Sequence, residues 1–199
     1  MRSKTMMIGP VIVLVLFVSS IAFAGTHLIE LNASQSTIEG GYDHKMPVEY
    51  GFLTAGIGAL YSEDDYKIAN AKFTLGDGIS SAGLRFNLGF KGVLGNVEED
   101  GREADLMAVG FLFSGSFTIP ETIMPLPVDL SLTLTMAPEP LCFVDSDRYM
   151  DFRVSFDFRI VKNAAIILGY RHIETRLEQD QENWETEDGT LFIGYQLKF

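Results

Sequence analysis

The chain has 199 residues, enough for one domain, and 27 acidic against 15 basic side chains give it a formal net charge of −12. So acidic a protein is a poor partner for nucleic acid, because phosphate contacts need Lys and Arg. Its one cysteine, Cys142, excludes an intramolecular disulfide.

In chain order, the first element is a targeting segment. Arg2 and Lys4 precede an apolar run from Met6 to Val18, broken only by Gly9 and Pro10. Ser19 and Ser20 then lead into Ala22-Phe23-Ala24, a small-x-small cleavage pattern. Residues 1–24 are expected to be a removable export signal, leaving residues 25–199 as the mature domain. The run is short of the roughly 20 residues a membrane helix needs. No cysteine follows the cleavage position, so a lipid-modified N-terminus is not expected.

The mature sequence repeats a period of two. A weak pair, 27–33 and 36–43, is joined through Ala33-Ser34-Gln35-Ser36, and segments 49–61 and 65–75 follow. In 81–93, Leu84, Phe86, Leu88 and Phe90 alternate with Arg85, Asn87, Gly89 and Lys91. Segment 103–117 comes next. In 127–139, Val128 to Met136 alternate with Asp129, Ser131, Thr133 and Thr135. In 149–161, Phe152, Val154, Phe156, Phe158 and Ile160 alternate with Asp151, Arg153, Ser155, Asp157 and Arg159. Segments 164–177 and 189–199 complete the set. Only a strand sorts such residues onto opposite faces. Eight strands are expected, or ten with the leading pair; ten is preferred because that pair otherwise has no partner.

The last strand puts Leu191, Ile193, Tyr195, Leu197 and Phe199 on one face and Phe192, Gly194, Gln196 and Lys198 on the other. An apolar alternating strand ending in Phe resembles the closing strand of outer-membrane barrels, which the assembly machinery reads. Tyr195, Leu197 and Phe199 are its candidate signal. Alternation alone would suit a soluble sandwich equally well. The export signal, the terminal Phe and segments beyond ten residues favour a membrane barrel, whose strands need about 9–11. The fold expected is therefore an all-β, antiparallel, up-and-down transmembrane barrel of 8–10 strands.

The connections sort into two kinds. Glu63-Asp64-Asp65, Glu98-Glu99-Asp100 with Glu103, Asp145 with Asp147, and Glu178 to Asp188 are acidic. Gly76-Asp77-Gly78, Pro120 to Pro127 and Lys162-Asn163 are tight or Pro-rich. The acidic set is expected outside the cell and the tight set in the periplasm. Tyr61, Tyr66, Tyr149, Tyr170 and Tyr195 near segment ends suit an interfacial girdle.

Tyr61-Ser-Glu-Asp-Asp65, Gly83-Leu-Arg85, Gly89-Phe-Lys-Gly92, Ala137-Pro-Glu-Pro-Leu141 running into Asp145-Ser-Asp-Arg-Tyr149, and Gly169-Tyr-Arg-His172 together resemble the YfaZ family of predicted outer-membrane proteins. The resemblance spans nearly the whole mature chain and implies a barrel in the outer membrane. It implies no activity.

Three kinds of chemistry can be weighed. Arg85, Lys91, Asp151, Arg153, Asp157, Arg159, Arg171 and Lys198 would point inward as a network of paired charges, filling a small barrel or lining a narrow pore. Surface lipid chemistry (acyl transfer or hydrolysis) would need a histidine base beside a nucleophile. Of the three histidines, His27 lies at the mature start, His44 in a connection over 44–48, and His172 on a lipid-side face with Tyr170 and Glu174. Ser114 and Ser116 fall on the opposite half of the barrel. No GxSxG or HExxH pattern occurs. The acidic loops could take divalent cations bridging to lipopolysaccharide, but Glu178 to Asp188 lacks a calcium-loop pattern, and a solvated acidic face accounts for it. Trp184 at its centre hints at a partner.

The expectation is a non-enzymatic outer-membrane barrel of structural or narrow-channel role, with no catalytic residue, metal or cofactor. A surface lipid enzyme and a recognition barrel are the alternatives. Expected partners are membrane lipid, lipopolysaccharide and the assembly machinery, with no nucleic acid.

Overall fold

The chain alternates long strands with short connections. A computed structural model describes residues 25–63, 66–79, 83–99, 102–120, 126–179 and 182–199. The expected export signal lies outside them. The strands are β1 (Thr26–Ala33), β2 (Thr37–Val48), β3 (Gly51–Ser62), β4 (Tyr66–Ile79), β5 (Leu84–Glu99), β6 (Arg102–Ile119), β7 (Val128–Ala137), β8 (Cys142–Val144), β9 (Ser146–Val161), β10 (Ala164–Gln179) and β11 (Glu182–Lys198).

Ten strands, all but the three-residue β8, form one closed antiparallel sheet. Its order is β5-β4-β3-β2-β1-β11-β10-β9-β7-β6, and β6 pairs back onto β5. The seam joins β1 to β11 from Leu28↔Lys198 to Ala33↔Ile193. At its end the His27 N–H donates to the Phe199 carbonyl at 2.8 Å, the Phe199 N–H donates back at 2.9 Å, and the two rings stack. The leading pair is thus part of the wall. Without β1 and β2 the free edges of β3 and β11 would face hydrocarbon with unpaired N–H and C=O groups.

Both described termini, the connections 49–50 and 162–163, and the strand ends Ile79, Leu84, Ile119 and Val128 share one end, called here the terminus end. Connections 34–36 and 138–145 and the strand ends Ser62, Tyr66, Glu99, Arg102, Gln179 and Glu182 sit at the far end. The outer face between them is apolar. Ile57, Phe73, Leu75, Phe86, Leu88, Phe90, Phe113, Phe156, Leu168, Leu191 and Ile193 are all exposed there. A solvent-facing stripe of large apolar side chains around an entire barrel suits only lipid.

Several boundaries differ from expectation, always because pairing runs further than the apolar pattern. Residues 44–48 are not a connection: β2 continues to Val48, paired with Gly51. Gly76-Asp77-Gly78 is not a turn but the end of β4, opposite Asn87 to Arg85. Gly76 is needed for space, since a Cβ there would collide with the Asn87 amide. Glu178 to Asp188 is not a loop: β10 and β11 pair without interruption to Gln179↔Glu182. Beyond the membrane a hairpin is stable wherever its inward face still finds a core, and charged residues pointing outward do not disturb it. Two expected girdle tyrosines also turn inward. Tyr149 is 1% exposed, and buried Tyr66 hydrogen-bonds Asp188, whereas Tyr61, Tyr170 and Tyr195 do face outward.

These faces make a direct test possible. Phe156 is 44% exposed at mid-strand, opposite Leu130 and Leu168. Phe156→Arg should cost about 2–4 kcal/mol in reversible folding into lipid vesicles, the range for a cation at the bilayer midplane. Ile160→Arg, close to the terminus end, should cost less. Equal costs, or cooperative folding of the parent chain in plain buffer, would refute the lipid-facing assignment.

Candidate functional site

The interior is layered along the barrel axis. At the far end, Leu60, Ile68, Val93, Val97, Leu106, Ile173, Leu177 and Trp184 form a single buried cluster with Tyr66 and Tyr149. Leu177 has no exposed surface and Leu106 only 1%. At this level the outer face carries Glu103, Asp105, Glu174, Arg176, Glu185 and Glu187, all accessible to solvent. The far end is therefore built like a water-soluble barrel, apolar inside and charged outside. The membrane band below it is the reverse.

The switch is written in the strands. In β10 Ile166, Leu168 and Tyr170 face out around a single inward Ile167, and beyond them Ile173 and Leu177 face in. In β5 the apolar residues are Leu84 to Leu94 on the even positions, then Val93 and Val97 on the odd ones. The β10–β11 and β4–β5 registers run unbroken, so the chemistry changes face while the pleat does not. Reading each strand as one alternating set concealed this plug. The change from even to odd apolar positions was the signal available.

Beneath the plug lies a connected charge layer. Arg171 clasps Asp151 with two hydrogen bonds, Nε to Oδ1 at 2.9 Å and Nη2 to Oδ2 at 2.7 Å. Lys91 donates to the same Oδ2 at 2.7 Å. Arg171 Nη1 lies 3.0 Å from Glu39 Oε1, an ion pair whose angle falls short of a hydrogen bond. Arg153 bridges Glu30 at 2.5 Å and Glu39 at 3.5 Å. Asn32 donates to both of those glutamates at 2.8 Å. Arg153 also lies over the Phe192 ring, 4.6 Å from its centre. That ring occupies the space a side chain on Gly169 would fill, so the glycine is required by the stack. Three carboxylates face three cations here, so the layer's charges balance within it, while Asn32 Oδ1 is buried without a hydrogen-bond partner.

Toward the terminus end the lumen widens into a polar cavity of about 310 Å³. Lys72 pairs with Asp43 at 2.8 Å, and Asp157 accepts bonds from Ser131 and Ser155, both at 2.9 Å. At the mouth, Arg85 and Arg159 share Asp129 at 3.4 and 3.3 Å. The eight interior charges expected from sequence thus divide. Lys91, Asp151, Arg153 and Arg171 meet in the layer, Asp157 lies in the cavity, and Arg85 and Arg159 are at the mouth. Lys198 lies exposed at the terminus end with no ion pair among the described residues. Sequence reading missed Glu30, Glu39, Asp43, Asp129 and Lys72, because a strand's own alternation does not reveal its partners across the barrel.

The histidines do not assemble a base. His27 and His44 lie side by side at the terminus end, 3.3 Å apart, with His27 also hydrogen-bonded to Tyr42, on the outward face. The expected position of His44 in a connection is corrected by its pairing with His27 and Ala55 within β2. His172 faces outward above Tyr170. Among the described residues no group of three or more His, Cys, Asp or Glu could hold a metal.

No protein-family model matches the chain, and no curated protein does. Solved structures that align with it include a membrane protein studied for in-meso crystallization, at 12% identity and a TM-score of 0.45, covering 88% of this chain and 83% of that one. The outer membrane protein Omp33 of Acinetobacter baumannii aligns at 4% identity and 0.35, covering 88% and 96%. The β domain of the Bordetella autotransporter BrkA aligns at 15% and 0.34, covering 88% and 99%. The fold itself rests on the strand order, closure and face chemistry above.

The charge layer should respond asymmetrically to substitution. Asp151→Asn strands Lys91 as a buried cation, leaves Arg171 with Glu39 alone, and should cost about 3–5 kcal/mol in vesicle refolding, as removal of one partner of a buried pair does. Replacing Asp151, Arg171 and Lys91 together by Leu, Met and Met should recover most of that loss. A triple variant as unstable as the single one would show that the ion pairs themselves supply the stability.

Proposed function

We propose that this chain is an integral barrel of a bacterial outer membrane, sealed toward the cell exterior, with a non-enzymatic structural role. The observation that carries the reading is the apolar plug over the charge-balanced layer. Water and ions crossing the barrel would have to pass Leu106, Leu177 and Trp184, then a layer whose charges are already bonded to one another. Of the structural and narrow-channel readings, this supports the first. Ten strands enclose too little space for an aqueous channel once side chains fill it, and open pores belong to barrels of 16–18 strands.

The outer-membrane placement is supported by the lipid-facing band and by the export-signal pattern of residues 1–24. The acidic far end would then lie outside and the terminus end in the periplasm. The resemblance to the YfaZ family belongs to the same proposal, carried by the residues quoted for it. Membrane lipid and lipopolysaccharide are the partners for the outer wall. The assembly machinery would read the closing strand through Tyr195, Leu197 and Phe199. The separation of all three histidines from Ser114 and Ser116 favours this reading over a surface lipid enzyme.

Two measurements bear on it. The purified barrel should give no conductance steps in planar bilayers; reproducible single-channel steps from the parent chain would sink the sealed reading. An epitope placed between Gln179 and Glu182 should bind antibody on intact cells, whereas one at Lys162-Asn163 should not. The opposite pattern would reverse the orientation.

A further inference from the structure

Two of the three histidines stand directly opposite each other, His27 on β1 and His44 on β2. The backbone N–H and C=O of His27 both go to Phe199 of β11. Toward β2 it therefore belongs to a non-hydrogen-bonded pair, the kind whose side chains sit closest. Both rings are half-buried on the outer face at the terminus end. Their centres are 4.5 Å apart and their Nδ1 atoms 3.3 Å apart. Tyr42, two residues before His44 on the same face, brings its hydroxyl to 2.7 Å from the His27 Nδ1. Neighbours hold the rings in place. Phe199 stacks on His27 with ring centres 5.5 Å apart. A side chain on Gly25 would lie 2.6 Å from the His44 Cε1, so only glycine leaves that ring its position.

Hydrogen bonds alone do not satisfy this cluster. A neutral imidazole Nδ1 offers either one proton or one lone pair. The His27 Nδ1 nevertheless meets both the Tyr42 hydroxyl and the His44 Nδ1, and can serve only one of them fully. A cation shared by all three atoms would serve them together. Two nitrogens bound to one tetrahedral zinc at roughly 2.0–2.1 Å lie about 3.3–3.4 Å apart. The two Nδ1 atoms already stand at that spacing, so rotation of the rings, without movement of the strands, aims both lone pairs at one ion. The donor chemistry is selective as well. Asp43, the adjacent acid on β2, points inward to Lys72. Imidazole suits zinc and its neighbours in the transition series, whereas magnesium and calcium take oxygen ligands. The cluster is not one of the three-member His, Cys, Asp or Glu sets, which the described residues lack, because its third donor is a phenol.

We propose that His27 and His44 bind a zinc-class transition-metal ion through their Nδ1 atoms, with the Tyr42 oxygen as third donor and solvent completing the shell. The ion ties β1 to β2 beside the rung that closes the sheet, and holds the His27 ring against Phe199. It supplies a cross-strand link that a chain with one cysteine cannot make by an intramolecular disulfide. The site lies on the outer wall, so it depends neither on the sealing of the lumen nor on which end faces the cell exterior.

The test titrates the folded barrel, in a neutral detergent, with Zn2+ by calorimetry. Saturable one-to-one binding is expected, and none with Mg2+ or Ca2+. His27→Gln and His44→Gln should each bind at least about tenfold more weakly, since even the outer partners of metal ligands are worth roughly 10–100-fold. His172→Gln removes the third histidine, away from the site, and should bind like the parent. Zinc should also raise the urea midpoint of the parent but not of His44→Gln, because only the paired hairpin brings both ligands together. Emission from the single, buried Trp184 checks that each variant is folded. Should His27→Gln fail to close its seam, His44→Gln decides the question alone. No saturable zinc binding by the parent would overturn the proposal. Equal affinity in His44→Gln would overturn it even if His27 were needed, since the ion would then sit on His27 and its own backbone. An equal loss in His172→Gln would also defeat it, by showing scattered surface binding.

Discussion

Everything in this molecule depends on closing the sheet. Inside hydrocarbon no water is available to an unpaired N–H or C=O, so a sheet can cross only if its first and last strands meet. Here they meet through six paired residues between β1 and β11, finished by the reciprocal His27–Phe199 backbone bonds. The chain has one cysteine and so no intramolecular staple, and the ladder carries that burden alone. The stacking of His27 on Phe199 braces the last rung where it would otherwise fray, with Phe199 left half-exposed.

Closure then fixes the interior. A ten-stranded wall leaves a lumen that side chains from opposite strands can reach across, so inward residues must suit one another and not bulk water. The charge layer shows the consequence. Asp151 on β9 is met by Lys91 from β5 and Arg171 from β10, while Glu30 and Glu39 from β1 and β2 reach Arg153. Five strands contribute to one network, so the layer fixes their relative heights as well as satisfying its own charges.

How much of this the sequence showed follows from what alternation encodes. Alternation reports the two faces of each strand, and the apolar face of 149–161 and the closing strand 189–199 were legible from it. Length reports the membrane crossing. Neither reports who stands opposite, so the acids that complete the layer were invisible. The far-end hairpin was misread for a related reason. Glu178 to Asp188 is charged on one face and carries Trp184 and Thr186 on the other. A run dominated by acids looks like a loop unless its sparse inward residues are followed. The plug was legible in principle, as apolar residues moving from even to odd positions in β5 and β10, because a strand leaving lipid for water must exchange the chemistry of its two faces.

That exchange also orders the charges along the axis. Above the membrane, solvent lies outside the barrel, so acids such as Glu103, Asp105, Glu185 and Glu187 point outward and form a negative crown. Within the membrane band, polar groups can only point inward, and this is where many of the cations collect. An anion approaching the far end meets the crown first and the plug second. The same rule that makes the wall lipid-facing thus puts the polar interior in the membrane band and the apolar plug beyond it.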